Sequence, residues 1–199
     1  MNTNVLNNIS YGLYVLTARD GDIDNGCIIN TVQQVTSDPC VISVTVNKAN
    51  HTHDMIMDTG EFNASLISID TQFDIFEKFG FVSGRDADKF ADWKYAERSR
   101  NGIYYVTKGV NAYISAKLFH SVDLGTHTVF FAKVTDMESI SEDPSLTYAY
   151  YHRHVKPKPK ADEKGYRCIV CGYVYEGEEL PPDFVCPWCK HGVEDFEKI

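Results

Sequence analysis

The chain has 199 residues, 43% of them hydrophobic and 13% aromatic, which is enough for one packed domain of ordinary size and a second small one. Its formal net charge of −9 argues against nucleic acid as a partner, because phosphate binding needs a basic surface. The first ten residues, MNTNVLNNIS, lack the basic and apolar regions of a secretory signal, and no run reaches the roughly 18 apolar residues of a membrane helix. Together with six cysteines, these features predict a cytoplasmic protein whose cysteines bind metal or remain thiols.

Strand signals dominate the first 150 residues. YGLYVLTARDGD and GCIINTVQQVTSDP are predicted as two strands joined by a turn at DGDIDNG. In CVISVTV, residues 40–46, Ile42, Val44 and Val46 alternate with Ser43 and Thr45, the period of a half-buried strand. NAYISAKLFHSV and HTVFFAKVTDM are predicted as two further strands, with DLGT between them as a hairpin turn.

Helix signals are few. THDMIMDTG offers Thr52 as an N-cap and Gly60 as a stop, and TQFDIFEKFG offers Thr71 as an N-cap with Gly80 after the last turn. YAYYHRH, residues 148–154, is predicted as a barrel edge that packs in a dimer, and stacking of Tyr150 or Tyr151 near a bound cofactor is the alternative. Many strands without a βαβ rhythm predict a mainly β fold, a closed or nearly closed antiparallel barrel with a few helices.

A proline-rich segment divides the chain. VKPKPKADEKG, residues 155–165, contains two prolines, alternating lysines and no apolar run, which is typical of an extended, semi-stiff linker. An ordinary surface loop within one domain is the alternative. We expect a first domain over residues 1–154, a linker over 155–164 and a small domain over 165–199.

The small domain contains two C-x-x-C pairs separated by fourteen residues. The four cysteines are Cys168, Cys171, Cys186 and Cys189. Two such pairs can hold one metal ion from two sides in a tetrahedral site of four sulfurs, which favours zinc or iron. The spacing alone does not choose between these two metals.

The residues around the cysteines favour iron. Gly172 lets the backbone fold back so that amide N–H groups can point at sulfur, and aromatic side chains can shield the site. These aromatic residues are Tyr173, Tyr175, Phe184, Trp188 and Phe196. YRCIVCGYVYEGEELPPDFVCPWC followed by EDFEKI resembles rubredoxin in a short-loop form, similar to the rubredoxin-like domain of rubrerythrins. The resemblance implies one iron in a one-electron site, and zinc in a structural role is the alternative.

Two polar runs in the first domain are candidates for a cofactor site, since no G-x-G-x-x-G follows a strand. They are NTVQQVTSDP, residues 30–39, and NKANHTHDMI, residues 47–56. The second places Asn47, Lys48, Asn50 and Thr52 directly before a predicted helix. An amide, an ammonium, a hydroxyl and exposed N–H groups form a suitable phosphate site, whereas a capping segment with a solvated lysine is the alternative.

From ISYGLYVLTA to THTVFFAKV, the first 150 residues resemble the flavin reductase-like proteins. The matching stretches are NTVQQVTSDP, ISVTVNKANHT, FGFVSGRDADKF and GTHTVFFAKV. The resemblance implies an FMN-binding split barrel that works as a homodimer. It implies that the isoalloxazine ring is lined by Asn30, Thr31, Val32, Gln33 and Gln34. It also implies that the ribityl chain and phosphate are held by Asn47, Lys48, Asn50 and Thr52, with Ser83 and Lys89 closing over the phosphate.

The histidines and the two cysteines of this domain allow several interpretations. In the resembled family a histidine at the position of His127 lies near the flavin and orients FMN or the nicotinamide. A strand histidine satisfied by backbone partners is the alternative. His51 and His53 lack further ligands at metal-binding spacing and are interpreted as surface or phosphate-side residues. Cys27 and Cys40 are most simply small apolar residues of strands, and redox partners of the flavin are the alternative.

The two halves together suggest a function. As a whole the chain resembles the high-molecular-weight rubredoxins, in which a flavin reductase domain is fused to rubredoxin, and which donate electrons to flavodiiron proteins that reduce nitric oxide or oxygen. The resemblance implies transfer from NAD(P)H through FMN to iron and then to a partner. The cofactors supply this chemistry, so no catalytic acid, base or nucleophile is assigned with certainty. The alternatives are a flavin reductase that releases reduced FMN, and a non-enzymatic module built of a split barrel and a zinc ribbon.

Overall fold

The computed structural model describes residues 5, 9–157, 164–169, 172–187 and 191–199. Seven strands form the main sheet of the first domain. They are β1 Tyr14–Asp20, β2 Ile23–Ile29, β3 Gln33–Ser37, β4 Cys40–Asn47, β5 Glu61–Ile67, β8 Val110–Asp123 and β9 His127–Ser139. Their order in the sheet is β2-β1-β5-β8-β9-β4-β3, and every neighbouring pair is antiparallel. This confirms the mainly β, antiparallel prediction.

The remaining elements are short. A separate ribbon pairs β6 Ala96–Arg98 with β7 Tyr104–Val106. The helices are α1 His51–Thr59, α2 Asp74–Gly80 and α3 Tyr148–Tyr150, with a π-helix over Tyr151–Val155 and a 3₁₀-helix over Val193–Asp195. The small domain has a three-stranded sheet, ordered β11-β10-β12, of β10 Tyr166–Cys168, β11 Val174–Tyr175 and β12 Phe196–Lys198.

The main sheet is buried on both faces near its middle. In β1, Leu16 belongs to a cluster with α1 and Phe130 of β9, whereas Val15 belongs to a second cluster with α2. Side chains alternate between the faces of a strand, so one strand supplies both clusters. Register shifts in β8 at Ser115/Ala116 and Leu118/His120 are bulges of the kind that bend strands toward closure.

Several local predictions were wrong. The turn predicted at DGDIDNG, residues 20–26, is confined to Gly21 and Asp22, because β2 begins at Ile23. The stretch 26–39, predicted as one strand, forms the end of β2 and all of β3, which lie at opposite edges of the sheet. The N-cap of α1 is Asn50, because Thr52 is already within the helix, whereas Gly60 does end α1 in the left-handed conformation. α2 begins only at Asp74 and includes Gly80.

Residues 148–154 are helical and not a strand. The hydroxyl of Thr147 accepts a hydrogen bond from the N–H of Tyr150, and Tyr151 packs on Phe76 of α2 with ring centroids 4.6 Å apart. A capped start and an anchored aromatic side chain therefore replace the expected edge strand. None of the helices in the described ranges combines the length and the apolar character that crossing a membrane would require.

Candidate functional site

A cavity of about 280 Å³ lies where β2, the start of α1 and the turn after α2 meet. Five residues of the predicted site line it: Asn47, Asn50, Thr52, Ser83 and Lys89. Three different segments of the chain are therefore brought to one place.

A larger depression of about 790 Å³ adjoins this cavity and shares His51 and Gly84 with it. Its lining includes one arginine and four aspartates, Asp22, Asp24, Asp86 and Asp88. Negative side chains repel a phosphate, so the smaller cavity is the better candidate for an anionic cofactor despite its size.

The start of α1 supplies N–H donors to the smaller cavity. The N-cap Asn50 makes no side-chain capping hydrogen bond, although the N–H of His53 donates to its carbonyl at 3.0 Å. The amide oxygen of Asn47 accepts from the N–H of Ala49 at 2.9 Å and so shapes the turn that leads into the helix. The first turn of a helix leaves N–H groups without intrahelical partners and favours anions.

Lys89 brings a buried positive charge to the same place. Its side chain is only 3% exposed, and its ammonium donates to the carbonyls of Gly26 at 2.7 Å and Phe79 at 3.1 Å. Burial lowers the pKa of Lys89 to about 8, an effect that the neighbouring Cys27 partly offsets. An ammonium has three N–H donors and the carbonyls of Gly26 and Phe79 accept two, so the third can point to an anion in the cavity.

A chain of polar contacts holds the turn after α2 over the start of α1. The ring of His53 contacts the hydroxyl of Thr128 and the carboxylate of Asp54, each at 2.9 Å, and Asp54 pairs with Arg85 at 2.6 Å. The hydrogen bonds from His53 and then Arg85 lower the pKa of Asp54. These contacts fix the neighbouring Ser83 relative to the helix. His53 is not among the lining residues, and it supports the cavity from behind.

Two further features fit a cofactor with an anionic end. Nδ1 of His51, which lines the cavity, is buried and receives no hydrogen bond from any described residue. A Cβ added to Gly84 would lie 1.9 Å from the amide nitrogen of Asn25, so only glycine lets the turn approach β2 this closely. The unpartnered Nδ1 of His51 can form a hydrogen bond with a phosphate oxygen, and Gly84 leaves its backbone open to close approach by the phosphate.

Lys48 and His127 lie beside the cavity and not among its lining residues. Lys48 forms an ion pair of 2.5 Å with Asp123, and this contact lowers the pKa of the Asp123 carboxyl. His127 faces Asn47 across the β4–β9 pair and its Nδ1 contacts the hydroxyl of Thr126 at 2.9 Å. The structure therefore places both near Asn47, at the outer edge of the site.

The segment predicted to line the isoalloxazine ring lies apart from the cavity. Asn30, Thr31 and Val32 are half-buried between β2 and β3, and the hydroxyl of Thr31 donates to the carbonyl of Thr45 at 2.8 Å. Gln33 and Gln34 are exposed on the edge strand β3. Thr45 precedes Asn47 by two residues on β4, so the segment is tied to the strand that leads into the cavity.

The cysteines of the first domain follow the simpler interpretation. Cys27 is buried in the core beside Lys89, and burial raises the pKa of its thiol. Cys40 is half-buried at the start of β4. A buried thiol with a raised pKa stays protonated at neutral pH and behaves as a small apolar group.

The small domain buries two of the predicted metal ligands. Cys168 and Cys186 are both 0% exposed and share one cluster with Tyr173 and Phe196. Each belongs to a turn closed by backbone hydrogen bonds: the N–H of Cys168 donates to the carbonyl of Tyr173, and that of Cys186 to the carbonyl of His191, both at 2.8 Å. The other two ligands, Cys171 and Cys189, lie outside the described residues. In the described part of the chain no group of three potential ligands is found, as expected when half of the quartet is outside it.

The turn geometry supports the metal-site interpretation. Gly172 has a φ of +88° and its N–H donates to the carbonyl of Cys168 at 2.9 Å. This left-handed residue lets the chain fold back after the first C-x-x-C pair, as the sequence predicts. Buried thiols enclosed by aromatic rings are a donor set suited to a soft or borderline metal such as iron.

Comparisons with known proteins match two families along the chain. Residues 6–159 match the family described as flavin reductase like domain, and residues 166–197 match the rubrerythrin, rubredoxin-like domain. The chain is 36% identical to the high molecular weight rubredoxin of Moorella thermoacetica over the whole of both chains. It is also 37% identical to the ferric-chelate reductase (NAD(P)H) of Archaeoglobus fulgidus, covering 75% of this chain and 88% of that protein.

A solved structure shows the same fold. The NADH:FAD oxidoreductase SgcE6 of Streptomyces globisporus C-1027 superimposes with a TM-score of 0.65 at 18% identity, covering 72% of this chain and 84% of that one. The chain belongs to the flavin reductase-like family and carries a rubredoxin-like domain at its C-terminal end. It is thus an oxidoreductase that joins a flavin reductase-like barrel to an iron module of the rubredoxin type.

Several residues at the site were not predicted. Asn25 and Gly84 pack directly against each other in the lining of the cavity, and His191 reaches it from the small domain. Gly84 lies within FGFVSGRDADKF, next to the predicted Ser83, so its position had a sequence signal. His191 had none, because its approach depends on how the two domains pack.

Proposed function

We propose that the protein is an electron-transfer flavo-rubredoxin that passes electrons from NAD(P)H through FMN to one iron held by four cysteines. From the iron, electrons go to a redox partner of the flavodiiron type that reduces nitric oxide or oxygen. The observation that carries this proposal is that one chain joins the two modules and that a residue of the iron module lines the candidate flavin cavity.

The phosphate of FMN is assigned to the cavity at the start of α1. The first-turn N–H groups, the hydroxyl of Ser83 and the ammonium of Lys89 supply hydrogen bonds and positive charge. Thr52, which is 1% exposed, lies between them and the core. Donors of this kind form short, charge-assisted hydrogen bonds with phosphate oxygens.

The ring of the flavin is assigned to the segment Asn30, Thr31, Val32, Gln33 and Gln34. Val32 packs against the barrel core, and Thr31 is held to β4, so this segment presents backbone and amide groups from a fixed base. Asn47 and Lys48 are assigned to the ribityl chain, and His127 to the orientation of flavin or nicotinamide.

The cofactors provide the redox chemistry when bound: flavin takes up a hydride's two electrons and can release them singly, and the iron carries one electron. The chain's own residues bind and orient. The iron module's ligands are assigned as Cys168, Cys171, Cys186 and Cys189, and Tyr173 and Phe196 keep water from the two described sulfurs.

A homodimer in the cytoplasm completes the proposal. Exposed apolar side chains on β8, on β9 and in the turn between them support self-association, since single-chain exposure of such residues is costly. They are Phe119, Val122, Leu124 and Met137, exposed by 55%, 39%, 60% and 62%. Six cysteines assigned as thiols or metal ligands support a location in the reducing cytoplasm, and the net charge of −9 is compatible with it.

An anaerobic absorption spectrum of the purified protein, before and after NADH and then NADPH, tests the proposal. We expect flavin bands over a ferric-thiolate spectrum, both bleaching with one of the two nucleotides. Bleaching of the flavin alone would instead support a reductase that releases reduced FMN. A protein with zinc and no flavin, unchanged after reconstitution with FMN and ferrous iron, would support the non-enzymatic module.

A further inference from the structure

The iron module contacts the flavin domain through Phe81, the residue that caps α2. Phe81 packs against the cluster of Cys168 and Cys186, the two described metal ligands, and its ring also contacts Phe73 at a tilt, with ring centroids 5.8 Å apart. The residue therefore belongs to the flavin domain by its backbone and to the shell of the metal site by its side chain. Its neighbours Val82 and Ser83 line the flavin cavity.

A second contact is made by a residue of the iron module at the cavity of the flavin domain. His191, in the turn of the second C-x-x-C pair, lines the same cavity as Ser83 and Lys89. Its carbonyl accepts the hydrogen bond from Cys186, so its backbone is fixed to the metal site. Phe81 and His191 thus interlock: each lies in the surroundings of the other domain's site.

A third contact fixes the chain between the domains. Tyr151 of the π-helix is anchored on α2, its carbonyl accepts from the N–H of Lys156 at 2.8 Å, and the Lys156 ammonium donates to the carbonyl of Ile169. Ile169 directly follows Cys168. Phe76 of α2 therefore anchors the segment that leads to the module, and Phe81 at the end of α2 contacts the module itself.

We propose that the rubredoxin-like module docks on the flavin domain of its own chain, with its cysteine turns against residues 80–84. Phe81 is the positioning residue that sets the approach of the metal site to the flavin cavity, and His191 closes the phosphate end. This deepens the proposed function and rests on it, because it specifies which flavin reduces which iron. The module is then held in place between transfer events.

The electron count makes the transfer step explicit. Oxidation of NADH to NAD⁺ releases one proton and two electrons, so reducing two ferric centres to ferrous consumes one NADH. Within one chain the docked module receives its electron without an encounter between molecules. The rate constant for iron reduction is then first order and independent of protein concentration.

The first test is anaerobic stopped-flow mixing of the full-length holoprotein with NADH, following flavin and iron bands separately. Phe81→Ala is expected to slow iron reduction at least about ten-fold, since displacing reacting groups by about 1 Å can cost far more than that. Flavin reduction by NADH is expected to stay within about two-fold, and Phe81→Leu to restore most of the iron rate, because an apolar contact of similar size keeps the packing.

Lys156→Met removes the contact to Ile169 without touching the barrel core and is expected to slow iron reduction as well. Tyr95→Ala, the truncation of an exposed ring away from the module, is the matched control.

Amide hydrogen exchange of the oxidised holoprotein gives a readout that does not depend on turnover. Docking predicts protection of residues 80–84 and 165–169 that Phe81→Ala lowers in both segments together, by about ten-fold, while β4 and β9 stay protected. Unchanged iron reduction and exchange in Phe81→Ala and Lys156→Met would overturn the docking, as would a wild-type iron rate that rises in proportion to protein concentration. If neither nucleotide bleaches the flavin, the proposed electron donor is wrong, and the exchange pattern still decides whether the module docks.

Discussion

The flavin domain and the small domain of this protein are stabilised in different ways. The flavin domain buries two apolar clusters on either side of a seven-stranded sheet, whereas the buried apolar cluster of the described part of the small domain consists of Cys168 and Cys186. A domain of that size cannot bury enough apolar surface for independent stability and usually depends on a metal or disulfides. We therefore expect the two cofactors to play unequal structural roles: flavin binds to a barrel that is already packed, whereas the metal completes the core of the small domain.

Removing a metal ligand is expected to give the largest effect. Cys186→Ser should abolish the ferric-thiolate spectrum and the hydrogen-exchange protection of the small domain, because metal binding supplies most of the folding free energy of such modules. The barrel should keep its unfolding temperature within a few degrees, as followed by circular dichroism. Cys40→Ser, a half-buried cysteine of β4, is the control and should leave the iron spectrum intact. If the small domain of Cys186→Ser kept its protection from hydrogen exchange without metal, the metal would not be needed for its folding.

Truncating the barrel core should have the converse effect. Phe130 is 0% exposed in the cluster with α1, so Phe130→Ala is expected to lower the free energy of unfolding of the barrel by about 3–5 kcal/mol. Urea unfolding monitored in the far ultraviolet measures this loss. Met57→Ala, at a side chain of α1 that is 49% exposed, should cost less than about 1 kcal/mol, and equal costs at the two positions would contradict the assigned core.

The sequence and the structure agree most closely where the signal is local. The cysteine spacing, the alternation of β4 and the glycine at the end of α1 depend on residues within a few positions of one another, and all were predictable. The break between β2 and β3 was missed because both halves carry strand-forming residues, and only the sheet order separates Ile29 from Gln33. Propensity does not determine which edge of a sheet a strand joins.

The site shows the same limit. Ser83 and Lys89 were assigned through a resemblance, and the fold places them with Asn47, 36 or more positions away, in one cavity. Phe81 and His191 escaped prediction because each is defined by the other domain: Phe81 reads as an ordinary helix-end aromatic, and His191 as a surface histidine. Contacts across a proline-rich segment leave no periodicity in a single sequence.

Neutralising the buried ammonium should weaken cofactor binding by an intermediate amount. Lys89→Met keeps the length of the side chain and removes its charge, so the FMN dissociation constant is expected to rise about 10- to 100-fold, the value of one hydrogen bond to a charged group. Fluorescence titration of the flavin-free protein measures it. Lys78→Met, at an ammonium paired with Asp92 on the surface, is the control and should change affinity less than about two-fold.

The same residue predicts a pH dependence. Burial lowers the pKa of Lys89 to about 8, and the protonated form is the one that attracts phosphate. FMN affinity should therefore be full below about pH 8 and fall as the pH rises above it, by up to about ten-fold per unit. In Lys89→Met this decline should disappear, and a decline of the same size in the variant would assign it to another group.

Electrostatic docking of the small domain on an outside acceptor should give the smallest effect. Residues 161–199 contain nine Asp and Glu against four Lys and Arg, a local charge of −5. With a basic acceptor, the second-order rate of electron delivery should fall about two- to five-fold between 50 and 300 mM salt, as screening shortens the range of attraction. Steady-state reduction of the acceptor measures this rate, and no dependence on salt would exclude charge as the basis of partner choice.

Transfer from flavin to iron within the chain can be measured by an anaerobic titration of the holoprotein with NADH, or with NADPH if that is the donor. Flavin takes two electrons, iron takes one, and each nucleotide gives two, so we expect both bands to bleach completely at about 1.5 equivalents per chain. An endpoint near one equivalent, with the flavin bleached and the ferric-thiolate band untouched, would contradict a chain in which the flavin reduces the iron.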